Sequence, residues 1–176
     1  MNRALRRQQK KLAQKGVHVG SQEFMQILQT GLQHHKAGNL QAAEQHYQQA
    51  LQLQPDHPDA NHLMGTLAHQ AGRNDLALPY LEKAISANPN NANFHNIKGL
   101  VLKNLGQSQN SEQSYREAIR LDPNFAAAYN GLGLLCKEQE NYDDAAKHTQ
   151  KAIELQPNFL EAFNNLGNIY EAQGEL

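Results

Sequence analysis

The sequence predicts an all-α fold, a solenoid of stacked helix–turn–helix units. Three observations carry that expectation. Pro55, Pro89, Pro123 and Pro157 stand 34 residues apart, and the same interval separates Ala50, Ala84, Ala118 and Ala152, and Gly31, Gly65, Gly99, Gly133 and Gly167. Ala, Leu, Gln, Glu and Lys dominate, valine is scarce and tryptophan is absent, a balance that favours helix over strand. A glycine also falls near the middle of every unit but the fourth, at Gly38, Gly72, Gly106 and Gly174, where two helices can turn against each other. A unit of this length cannot bury its apolar face alone, so neighbours must stack and share a core.

No insertion breaks the register. The frames run 24–57, 58–91, 92–125 and 126–159, with a fifth begun at 160–176, behind an arm and linker at 1–23. Residues 1–16 hold six of the 16 basic residues and none of the 17 acidic ones, so the arm carries +6 and the remainder −7. An acidic body of this kind excludes a nucleic-acid-binding domain on charge. The arm reads as a solvated, partly helical extension, with Leu5 and Leu12 on one face and Gly16 and Gly20 separating it from the first repeat. Its sharper reading is an electrostatic handle for RNA, an anionic membrane or an acidic partner.

Within each frame the columns have physical reasons. A fourth small-residue column reads Ala43, Ala77, Ser111 and Ala145. Small residues at positions 8, 20 and 27 let two helix axes approach, where a larger side chain would push them apart. Tyr47 and Leu51 fill the first unit, Leu81 and Ile85 the second, Tyr115 and Ile119 the third, Ile153 and Leu155 the fourth. The proline at position 32 stops the second helix. In the second unit Pro79 lies near the start of a helix, and a local kink is expected there. In the third, Lys98 replaces an apolar residue, so the buried stripe should rotate onto Phe94, Ile97, Val101 and Leu105. In the fourth, Glu140 stands where the others have the turn glycine, and Asn141 is expected to take the left-handed or capping conformation. In the fifth, Phe163, Leu166, Ile169 and Tyr170 are more than one covered side needs. They predict an exposed apolar strip and end-to-end self-association. Either the chain is part of a longer protein, the favoured expectation, or this last helix is a short cap.

Tyr129, Leu132, Gly133, Ala145, Ala152 and Pro157 in the fourth unit, with Phe163, Leu166, Gly167 and Tyr170 in the fifth, resemble the tetratricopeptide repeat (TPR) family. Asn61 and His95 depart from its preference for a large apolar residue. The resemblance implies a right-handed α-solenoid whose first helices line a concave groove. The opening MNRALRR and the run DANHLMGTLAHQAG also resemble the start of large bacterial proteins that place such repeats before a transferase domain, of the protein O-linked N-acetylglucosamine transferase kind among others. No transferase residue lies in this chain, so no catalytic role carries over and no enzyme is expected of it.

The remaining chemistry is sparse. Cys136, the one cysteine, permits neither a disulfide nor a cysteine zinc site, and its position reads as helix packing. Glu138, Glu140, Asp143 and Asp144 read as solvated acids at a turn and a helix start. His35, His62 and His69 fall on one face, but equivalent positions of stacked helices lie about 8–10 Å apart, too far for a shared zinc. No metal and no cofactor is expected. The absence of a long apolar run and of paired cysteines reads as a soluble, cytoplasmic protein.

The groove is the informative surface. The resemblance implies that positions 2, 5, 9, 12 and 13 face a ligand. Position 5 gives Leu28, His62, Asn96, Asn130 and Asn164; position 9 gives Leu32, Thr66, Leu100, Leu134 and Asn168; position 12 gives His35, His69, Lys103, Lys137 and Glu171. An amide row, an apolar row and a mildly basic row therefore run side by side. Amides donate and accept, so the asparagines suit the main chain of an extended peptide. The asparagine ladder of transferase relatives, at position 6, survives only in Asn165. The carboxylate clamp of chaperone-binding relatives is replaced by Leu28, Leu32, Leu63, Asn93 and Ile97. The expected function is a protein–protein interaction scaffold that binds a peptide or partner segment in the groove. The alternative is the substrate-recognition arm of a longer transferase.

Overall fold

The glycine and proline punctuation of the sequence becomes a chain of antiparallel helix pairs. In a computed structural model of the protein, backbone is described for residues 3–174 and side chains for residues 20–174. The side chains of the arm, with its basic residues and the Leu5 and Leu12 face, lie outside the described residues, as do positions 1, 2, 175 and 176.

The helices are α1 (Arg3–Lys36), α2 (Leu40–Leu53), α3 (Pro58–Gln70), α4 (Asn74–Ala87), α5 (Ala92–Asn104), α6 (Ser108–Leu121), α7 (Ala126–Glu138), α8 (Tyr142–Leu155) and α9 (Leu160–Gln173). Among the described residues there is no strand. Each odd helix packs most extensively on the even helix that follows it, each even helix on the next odd one, and successive odd helices touch directly. One expectation fails at the start. Gly16 and Gly20 do not separate the arm from the repeats, because α1 runs through both. A single glycine costs a helix only about 1 kcal/mol, which good helix formers on either side outweigh.

The turn inside each unit is built the same way four times. The residue after the turn donates its amide to the carbonyl five residues back: Asn39 to His34, Arg73 to Ala68, Gln107 to Leu102 and Asn141 to Cys136, at 2.8–2.9 Å. This closure needs a left-handed residue just before it. Gly38, Gly72 and Gly106 supply it at φ 73–78°. In the fourth unit Glu140 itself takes φ 59°, and of the two roles expected for Asn141 the capping one is realised. Asn141 has φ −90° and caps α8 instead, its side chain accepting from the Asp144 amide. The second helices end alike too, with the amides of Gln54, Asn88, Asp122 and Gln156 bonded to the column alanines Ala50, Ala84, Ala118 and Ala152.

The alanine columns, with Ser111, are fully buried, and the position-8 glycines of the first four units show why. A methyl group at Gly31, Gly65 or Gly99 would lie within 3 Å of Tyr47, Leu81 or Tyr115, each sixteen residues later on the paired helix, and Gly133 faces Thr149 in the same way. Gly131 is equally confined, by the Tyr115 ring of the preceding unit. Gly167 has nothing within 4 Å, because α9 has no paired second helix among the described residues. The apolar strip expected there is partly realised. Leu160 is 76% and Phe163 47% exposed, Leu166 and Tyr170 are half-buried, and Ile169 is buried against Ala145 and Ala146 of α8.

The irregular positions find local answers. Asn61 is fully buried and donates to the carbonyls of Pro55 (2.8 Å) and His57 (3.0 Å). His95, at the same repeat position, donates from Nε2 to the Pro89 carbonyl at 2.8 Å. Ser111, standing in an alanine column, donates to the Gly99 carbonyl at 2.7 Å. In the third unit Phe94 and Val101 are buried with Leu102, and Ile97 and Leu105 are partly buried, as the rotated stripe requires. Lys98 reaches Glu82 at 3.6 Å. Pro79 is exposed at the sixth residue of α4, beyond the first turn, and the helix continues unbroken through it. The Asp75 carbonyl there lacks its usual amide partner.

Candidate functional site

The first helices α1, α3, α5, α7 and α9 form one continuous face. Position by position, that face divides into two kinds of surface.

At the first two units it is an open apolar socket of about 390 Å³. Met25, Leu28 and Leu32 of α1 and Leu63 of α3 supply its walls, with Gln29, Asp59 and His62 beside them. Met25 is 58% exposed. His62 is buried, its ring stacked on Phe94 at 4.7 Å, and its Nε2 accepts from Asn93 Nδ2 at 3.0 Å. Burial lowers its pKa to about 4 against the opposing pull of Asp59, so the ring is neutral near pH 7. Its Nδ1 has no hydrogen-bond partner among the described residues.

From the third unit onward the face is amide-rich, but the asparagines are not the open row expected from the sequence. Asn130 is 4% exposed. It accepts from Asn165 Nδ2 at 3.0 Å and donates to Glu161 at 3.3 Å, tying α7 to α9. Asn96 is buried to 9% exposure and has no side-chain hydrogen bond among the described residues. Only Asn164 and Asn168 stand exposed, and neither has a side-chain partner among the described residues. The correction has a simple cause. Position 5 of one unit lies against positions 2 and 6 of the next, so a polar side chain there is consumed where those positions are polar, as for His62 and Asn130, and left unpaired where they are Ala127 and Gly131, as for Asn96.

The basic row is consumed in part by the same logic. His35 accepts from the Tyr47 hydroxyl at 3.0 Å and donates to Gln70 of the next unit at 2.6 Å. Burial pushes Tyr47 up to about 12. Lys103 pairs with Glu138 of the next unit at 2.7 Å. His69 turns to Asn74 in its own unit, at 2.7 Å. Lys137 alone of the four forms no hydrogen bond or ion pair among the described residues, and Ala172 occupies the place where its partner would stand. Leu100 packs onto the Tyr115 and Leu132 cluster and Leu134 is half-buried, so the apolar row narrows here.

The structure thus brings Asn96, Lys137, Asn164 and Asn168 to the groove with unused polar groups, and ties up His35, His62, His69, Lys103, Asn130 and Asn165. Sequence reasoning passed over Met25, Leu63 and Asp59 as site residues. The signal was only partial: at positions 2, 5, 6 and 9 of the first two units, Met25, Leu28, Leu32 and Leu63 are apolar, while Gln29, Asp59, His62 and Thr66 are polar. Cys136 is half-buried against Ala145 and Ala146, and burial, with Asp144 and Glu112, raises its thiol pKa, the opposite of an activated nucleophile. Among the described residues no cluster of three or more His, Cys, Asp or Glu could hold a metal, and no helix is long and apolar enough to cross a membrane.

Comparison with known proteins fits this geometry. Family models described as tetratricopeptide repeat match residues 34–101, 92–125, 126–159 and 148–176. No curated protein matches the sequence. Among solved structures the chain resembles Pseudomonas aeruginosa pilF, with TM-score 0.79, 21% identity, and coverage of 89% of this chain and 71% of that one. It resembles a crystal structure of MamA with TM-score 0.72, 23% identity and coverage of 86% and 83%. It resembles YrrB, described as a TPR protein with an unusual peptide-binding site, with TM-score 0.70, 23% identity and coverage of 92% and 84%. Residues 34–176 are an unbroken run of tetratricopeptide repeats, and the chain belongs to that family.

Proposed function

We propose that the protein is a scaffold that binds an extended peptide or partner segment along the face formed by its first helices. The observation that carries this reading is the open socket of Met25, Leu28, Leu32 and Leu63, which leads toward the unused amides of Asn96, Asn164 and Asn168. An apolar anchor supplies affinity there, and amides read main chain without demanding one sequence. The description of YrrB as peptide-binding supports the same class of ligand. Peptides selected from a random display library on the full chain test it. They should lose affinity when Leu63 is replaced by Glu; unchanged affinity would reject the reading.

Two further proposals remain from the sequence. The exposed Leu160 and Phe163 support end-to-end association. Phe163 and the open notch at Gly167 lie one turn apart, so a two-fold axis would seat each ring against the other copy's glycine. Sedimentation velocity should show mass rising with concentration in the native chain and not in Phe163→Glu. The resemblance of MNRALRR and DANHLMGTLAHQAG supports the transferase-arm reading, and the lone Cys136 supports a reducing, cytoplasmic site. An antibody to residues 1–23 should then detect a native product much larger than 19.7 kDa.

A further inference from the structure

The charges left over on the groove are few, and they differ in sign from end to end. Asp59 is the single charged residue among those lining the apolar socket, and it forms no ion pair among the described residues. His62 beside it is neutral near pH 7, so no cation at the socket offsets that carboxylate. One unit further on, Lys103 is neutralised by Glu138 at 2.7 Å, while Lys137, two units on, keeps its charge unpaired among the described residues.

Resting on the peptide-groove reading above, we infer a more specific ligand: a segment with a large apolar side chain for the socket, a Lys or Arg next to it for Asp59, and an Asp or Glu further along for Lys137. A desolvated apolar wall beside a lone carboxylate favours an apolar residue followed by a cation. A neutral or acidic neighbour would leave Asp59 facing the bound peptide without compensation. The spacing follows from the fold. The first helices α3, α5 and α7 touch in succession, and packed helices lie about 8–10 Å apart. Asp59 stands near the start of α3 and Lys137 near the end of α7, an axial offset of about 15 Å, so the two are separated by about 22–25 Å. An extended chain advances about 3.3 Å per residue, so the basic and acidic ligand residues stand about seven or eight positions apart. This fixes direction as well as composition: the basic end lies over units 1 and 2, the acidic end over unit 4.

The test uses the full chain and peptides selected on it from a random display library. Each binder is remade with its charges exchanged, and affinities are measured by fluorescence anisotropy for the native protein and for Asp59→Lys, Lys137→Glu and Leu63→Glu. The inference expects binders of the stated pattern. Exchange should cost about fivefold or more in the native protein, and Asp59→Lys should reverse the preference. Binders that are lost in Leu63→Glu but indifferent to charge exchange and to Asp59→Lys overturn this inference and leave the groove reading standing. Binders unaffected by Leu63→Glu, or no binders at all, overturn the groove reading and this inference with it. Asp59 and Lys137 lie on the surface face and make no side-chain bond among the described residues, so their replacement leaves the fold in place; an unchanged thermal midpoint verifies that.

Discussion

Units 1 and 2 and units 4 and 5 share one backbone plan and use their groove faces for opposite purposes. In the first pair the face is an open socket of Met25, Leu28, Leu32 and Leu63, and the polar tie between the two units, His35 to Gln70, lies toward the other end of the helices. In the second pair it is knitted shut by Asn130, Asn165 and Glu161. The difference teaches that a repeat position does not fix a role. Position 5 is an open apolar wall where it carries Leu28 and a structural tie where it carries Asn130, because an apolar side chain forms no hydrogen bond to the next unit and the amide forms two.

The largest expected effect on that contrast is functional. Leu63→Glu should lower the affinity of groove-selected peptides by more than about tenfold, since a carboxylate replaces an apolar wall. The double variant Asn164→Ala, Asn168→Ala should change affinity by only about two- to fivefold, as exposed hydrogen bonds contribute little. Anisotropy titration checks both, and comparable losses would erase the distinction between the two halves.

The next effect is on pH stability. His62 titrates at about 4 in the folded chain and near 6.5 unfolded. Its folded pKa is depressed, so the unfolded chain binds more protons between those values. The contribution is present in full above about pH 6.5 and is lost as pH falls towards 4, about 3 kcal/mol across the window as an order of magnitude. Burial lowers His148 as well, with the same sign. Urea unfolding of the native chain and of His62→Gln from pH 7 to 4 should show a shallower fall in the variant.

Glycines sharpen the contrast further. Gly131→Ala forces a methyl group into the Tyr115 ring and should cost about 1–3 kcal/mol. Gly167→Ala meets open space in a helix and should gain up to about 1 kcal/mol. Glu140→Gly relieves a left-handed side-chain residue and should gain about 1 kcal/mol. Thermal midpoints check all three.

The columns at positions 8, 20, 27 and 32 made the fold legible in the sequence. Their chemistry, a small residue under a Tyr or Leu and a proline after a helix, leaves one geometry open. The frames and the second-helix core followed from it. What stayed hidden depends on contacts between units. Nothing local to Asn130 announces Glu161 and Asn165, thirty-one and thirty-five residues on. Nothing local to Lys103 announces Glu138. The arm was misjudged for a different reason: its glycines looked like breaks, but without a closing turn a glycine only weakens a helix.

The most direct measurement is photo-crosslinking of a selected peptide that carries benzoylphenylalanine in place of its apolar residue, with the adduct located by mass spectrometry. The account predicts attachment at Met25, Leu32 or Leu63. Attachment on α2, α4 or α9 instead would contradict it.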